Sequence, residues 1–230
     1  MRPVERGDIP NDSQGQPKEY SCYANARRDL IERLGQFCSY CEMRLDTSLA
    51  VEHIQPKIHC SDLALRWDNF LLACTNCNSI KKDKTPALDG CLWPDVDNTF
   101  LAFEYVSQGI VKPAANLSLQ LRAKAIAAIE LTGLDRKPNL QTASDRRWQN
   151  RRETWGIAND SKQDLAEYDN DAMRRQIART AEARGYWSIW MTVFADDSDM
   201  LNRLIQLLPG TATDCFDIDG QPVARTGGKI

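Results

Sequence analysis

Two Cys-x-x-Cys pairs, Cys38-Ser39-Tyr40-Cys41 and Cys74-Thr75-Asn76-Cys77, constrain this chain more than anything else in it. Each pair wraps one side of an ion, and two pairs some thirty residues apart fill a tetrahedron with thiolates. The expectation is a structural four-cysteine zinc site, with no position left open to activate water. The competing reading is four unrelated buried thiols. A disulfide framework fits less well, since it is mainly a device of small secreted chains. The other four cysteines (Cys22, Cys60, Cys91 and Cys215) have no ligand spacing and read as free thiols.

Between the pairs the chain reads as strand, polar loop, strand and basic helix. Leu49–Ile54 is a short apolar run closed by Pro56, and Phe70–Ala73 is a second one. A helix follows Cys74 through Lys84 and stops before Pro86. Upstream, Ala26, Leu30, Ile31 and Leu34 share a helical face that ends at Gly35, after an irregular lead-in over residues 1–20. Downstream, DNTFLAFEYV reads as a strand with a turn at Gly109, and helices are expected over Ser118–Thr132, Ala143–Trp155, Leu165–Arg184 and Trp187–Phe194. A last helix carries Met200, Leu201, Leu204 and Leu208, and the tail DIDGQPVARTGGKI reads as a loose end. The fold class is therefore α+β: a zinc-fastened ββα module followed by a mainly α-helical C-terminal region. The expected division is 1–37 lead-in and helix, 38–90 module, 91–115 connection, and 116–230 helical, partner-docking region.

Both histidines of the chain lie inside the zinc-bounded stretch. Glu52 and His53 adjoin at a strand end, Asn69 stands before the second strand, and Asn78 follows Cys77. Phosphodiester hydrolysis needs a base for water, and an imidazole serves near neutral pH. It also needs a hard cation on the phosphate, and carboxylate and amide oxygens are hard ligands. Lys57, Lys81 and Lys82 flank this group and are candidates for phosphate contact, although a basic helix end is also what the macrodipole favours. His59 reads as a surface residue.

EHIQPK followed by WDNFLLACTNCNSIKKDK, with CSYC upstream, resembles the HNH endonuclease family in its four-cysteine zinc form. The resemblance covers about residues 38–84 and implies a ββα-metal fold that cleaves DNA. It implies that His53 is the general base and Glu52 a Mg²⁺ or Mn²⁺ ligand. By the same resemblance Asn69 positions the base or its loop, and Asn78 is the second metal ligand, making an H-N-N variant. The glycine pair that often follows the first histidine is absent. More narrowly, the CSYCEM opening and helical C-terminal part are similar to the PtuB-like nuclease subunits of Septu- and retron-type anti-phage systems, which implies a PtuA-like ATPase partner. An inactive zinc-binding assembly module and an RNA-directed nuclease are the rival readings.

Composition limits the partners. Net charge is −3 and the pI about 5.5, so bulk attraction does not hold this chain on nucleic acid. A local basic patch or a partner must supply affinity. No run approaches the roughly 18 apolar residues that span a bilayer, and the first residues lack a signal-peptide core, so a cytoplasmic location is expected. The segment Arg146–Trp155 is the densest in Arg and Trp. It is either a docking face or an amphipathic helix with its tryptophans inside and its arginines in solvent.

Overall fold

A computed structural model describes residues 1–137 and 145–230. The first twenty residues are irregular but not loose: Met1, Arg2 and Val4 are buried. The Arg2 guanidinium donates to Leu34 O at 2.8 Å and Pro209 O at 2.9 Å, tying the chain start to two helix ends. A 3-10 turn, Tyr23–Ala26, leads into α1 (Arg27–Leu34). Gly35 ends α1 at φ +74°, a conformation costly for residues with a Cβ.

The ββα module follows. Strands β1 (Ala50–His53) and β2 (Phe70–Ala73) pair antiparallel, with Glu52 opposite Leu71 and His53 opposite Phe70. Every residue of β2 is buried, which explains its unbroken apolar sequence Phe-Leu-Leu-Ala. Helix α2 (Thr75–Lys81) starts at once, with Cys74 as N-cap accepting from the Cys77 amide. Lys82, at φ +48°, closes it.

The expected strand over DNTFLAFEYV begins instead with a helical turn, α3 (Thr99–Ala102), because Asn98 caps it by accepting from the Phe100 amide. Then come β3 (Phe103–Tyr105) and β4 (Val111–Pro113), an antiparallel hairpin. Helix α4 (Leu119–Thr132) has the expected ends: Ser118 caps its start and Gly133, in the left-handed region, its finish. Helix α5 (Arg147–Glu167) runs twelve residues past the expected Trp155; the expected first residue of that helix, Ala143, lies outside the described residues. The single helix expected over Leu165–Arg184 is two elements. The side chain of Asn170 accepts from the Met173 amide at 3.0 Å and starts α6 (Asp171–Arg184) afresh. Helices α7 (Trp187–Val193) and α8 (Ser198–Leu207) follow, the second capped by Asp197. Trp187 and Trp190 are fully buried, as core residues.

Two further expectations are corrected. The C-terminal tail is pinned: Asn98 Nδ2 donates to Cys215 O and Val223 O at 2.8 and 2.7 Å, and the Asn98 amide donates to Ile230 O. One buried asparagine thus satisfies backbone that the tail's polar sequence suggested was solvated. In the segment Arg146–Trp155 two of the four arginines are buried, while Arg146 and Arg152 are exposed as expected. Arg147 and Arg151 are 2% and 1% exposed, whereas Trp148 and Trp155 are only half-buried. Burial is possible because main-chain carbonyls at the end of α4 and in the β3–β4 turn receive the guanidinium donors.

Candidate active site

The four cysteines converge. Their Sγ atoms all lie within 4.8 Å of one another, and all four residues are buried. Cys41 Sγ and Cys74 Sγ are 3.7 Å apart, against about 3.8 Å for two sulfurs on one tetrahedral zinc with bonds near 2.3 Å. Cys38 and Cys41 sit in the turn after α1, which Ser39 fastens to β2 through its amide on Leu72 O at 2.8 Å. Cys74 and Cys77 occupy the cap and first turn of α2. Burial pushes the thiols of Cys41 and Cys77 up, and hydrogen bonds from the neighbouring thiols hold Cys74 down. A buried cluster of this kind is costly to ionise alone, and a dication at its centre removes that cost. The donor set fits zinc.

A cleft of about 260 Å³ is lined by Tyr23, Glu52, His53, Lys57, Asn78 and Lys82, among others. β1 delivers Glu52 and His53 at its C-terminal end, and α2 delivers Asn78 from its first turn. His53 Nε2 is 3.0 Å from Ala64 O. A carbonyl only accepts, so Nε2 carries the proton and Nδ1 keeps its lone pair. Tyr23 and Phe70 hold the ring edge-on at centroid distances of 4.9 and 5.2 Å. Burial lowers the His53 pKa, which keeps the imidazole neutral and able to take a proton.

Glu52 is 3% exposed, and its Oε1 is paired with Lys81 Nζ at 2.7 Å. Burial pushes its carboxyl up to about 7 although Lys81 pulls the other way. Lys81 itself is fully buried and also donates to His53 O at 2.6 Å. The phosphate contact expected of Lys81 is therefore corrected. Its ammonium is a resident cation beneath Glu52 and His53, with no exposed surface to offer a substrate. Lys57 and Lys82 do line the cleft, and Lys57 Nζ stands 4.0 Å from the centroid of the Tyr23 ring. His59 is exposed and outside the cleft lining.

Asn69 does not line the cleft. Its Oδ1 accepts from the Gln55 amide at 2.8 Å, and its Nδ2 donates to Gln55 O and Leu63 O at 2.9 and 3.1 Å. It clamps the two ends of the loop that follows His53, and that same loop carries Ala64. The side chain of Asn69 bonds to loop backbone and not to His53. Tyr23 escaped sequence reasoning altogether. A lone aromatic thirty residues upstream of its partner has no motif to mark it.

The sequence profile of the HNH endonuclease family matches residues 38–84, the stretch from the first zinc cysteine to just past α2. This stretch is an HNH domain. A second likeness is to the Septu protein PtuB of Bacillus thuringiensis, 34% identical over 86 residues. The alignment covers 35% of this chain and 34% of that protein, so the chain spans about a third of the length of the relative it matches. Tyr23 lies outside the family match, yet it forms one wall of the HNH cleft. Other elements meet the HNH domain from outside, among them α1, packed on β2, and α4, packed on α2.

Proposed function

We propose that the chain is a metal-dependent endonuclease that hydrolyses DNA phosphodiester bonds. The observation that carries this reading is the shared cleft: a carboxylate, an amide and a neutral imidazole open onto one space, with two lysines at its rim. His53 is the general base, taking a proton from water at the nitrogen that Ala64 O leaves free. Glu52 and Asn78 offer the hard oxygens for a Mg²⁺ or Mn²⁺ ion, which supplies charge neutralisation on the phosphate and on its leaving oxygen. Lys57 and Lys82 hold flanking phosphates. Lys81 fixes Glu52 from below, and Asn69 fixes the loop whose carbonyl orients His53.

The likeness to the Septu protein PtuB supports a place in an anti-phage defence complex. A net charge of −3 favours the same view, because such a chain gains little from bulk attraction to DNA. We assign substrate capture in part to a PtuA-like ATPase subunit, with the helical region 116–230 as its docking part.

The test is cleavage of matched DNA and RNA substrates with Mg²⁺ or Mn²⁺ by wild type and His53→Ala, zinc content measured on both. The expected result is DNA cleavage that falls by about 10²–10⁴-fold in the variant at equal zinc content. Equal rates would remove His53 from the mechanism, and absence of cleavage in the wild type with its ATPase partner present would favour an inactive zinc-binding assembly module. Preference for RNA would overturn the substrate assignment.

A further inference from the structure

The zinc cluster has an attachment outside the HNH domain. Arg147, the first residue of α5, is 2% exposed, and each of its five N–H donors has an acceptor. Nη1 is 3.1 Å from Cys77 Sγ and 2.9 Å from Thr132 O. Nη2 is 2.9 Å from Gly133 O and 2.7 Å from Asp145 Oδ2, and Nε is 2.9 Å from Asp145 Oδ1. The guanidinium is therefore locked by the end of α4 and by Asp145, with one donor left for the sulfur. Four thiolates on a divalent zinc carry a net double negative charge, so an N⁺–H···S bond to that centre is charge-assisted.

We propose that Arg147 is a positioning residue of the zinc centre, so that the helical region, and not the HNH domain alone, sets how firmly the ion is held. Hydrogen bonds of this outer kind delocalise thiolate charge and fix ligand orientation, and their loss typically costs about 10–100-fold in metal affinity. The bonded sulfur belongs to the residue directly before Asn78, so the same contact steadies the turn of α2 that faces the cleft. The inference stands on the thiol cluster and the arginine, and does not require the chain to be a nuclease.

Arg151 supplies the control. It is equally buried one turn later on α5 and donates to Gly109 O and Leu134 O, with no cysteine sulfur among its acceptors. The experiment follows transfer of zinc from the purified full chain to a chromogenic chelator, below the melting transition, for wild type, Arg147→Met, Arg147→Lys and Arg151→Met. Arg147→Met is expected to release zinc about 10–100-fold faster than wild type, and Arg147→Lys less fast than that. Arg151→Met is expected to melt earlier while releasing zinc at the wild-type rate. Equal release from Arg147→Met and Arg151→Met would overturn the proposal and leave Arg147 as a helix clamp only. If Arg147→Met does not fold, Arg147→Lys against Arg151→Met decides, and equal rates there would again overturn it.

Discussion

His53 illustrates how one backbone carbonyl decides a side chain's chemistry. With Ala64 O occupying Nε2, the imidazole has a single acceptor nitrogen, and burial keeps it unprotonated. Glu52 is shifted in the opposite sense, up to about 7. If His53 is the base, as proposed, it is ready below neutrality while the carboxylate is not, so cleavage should rise with pH through about 7 as Glu52 ionises and level off above. Because a bound cation competes with that proton, the midpoint of the rise should move down as Mg²⁺ is increased. A pH–rate series at two Mg²⁺ concentrations checks both; a midpoint that ignores the metal would detach Glu52 from it. Lys81→Met removes the resident ammonium and leaves the carboxylate buried without a counter-charge. That variant should shift the midpoint upward with zinc content unchanged, and an unmoved profile would mean that Lys81 serves only packing.

At the scale of elements, the loop between β1 and β2 links fold to chemistry. Asn69→Ala leaves the Gln55 amide and carbonyl and the Leu63 carbonyl without their partner, a loss of about 2 kcal/mol. Chemical denaturation should show that loss. The cleavage defect should fall on kcat rather than KM, since the loop carries Ala64; a KM defect alone would place Asn69 on substrate binding instead. Much of this region is legible in the sequence. The zinc pairs, the Phe-Leu-Leu-Ala strand and the acid–histidine step declare themselves in a few residues, because each is a local pattern. Lys81 is misread because sequence shows charge but not depth: the same Lys-Lys pair puts one ammonium in the core and the next at the cleft rim. Arg147 and Arg151 are misread for a related reason. Nothing in RRWQNRRETW announces that carbonyls from α4 and the β3–β4 turn will receive the guanidinium donors. The break between α5 and α6 rests on a single Asn170 cap, which the surrounding helix-forming residues hide.

Over the whole molecule, the HNH domain is small and leans on its surroundings. The N-terminal segment supplies Tyr23 to the cleft, α1 packs on β2, and α5 reaches the zinc cluster through Arg147. Among the described residues no helix is long and apolar enough to cross a membrane. Since the four cysteines join the turn after α1 to α2, stripping the zinc should loosen the cleft and not merely one turn. Treatment with a strong chelator should lower the melting midpoint by about 10 °C or more, on the scale of a few kcal/mol for a chain of this size. Scanning calorimetry before and after zinc removal checks this, and an unchanged midpoint would deny the cluster its structural part.

The most direct test is the metal dependence of DNA cleavage by the zinc-loaded chain, with the proposed ATPase partner present, for wild type and Glu52→Gln. The expected result is no cleavage until Mg²⁺ or Mn²⁺ is added, saturation in the wild type, and a Glu52→Gln curve displaced to about tenfold or more higher metal. Cleavage by the wild type in metal-free buffer with zinc retained, or superimposable curves for the two proteins, would contradict it.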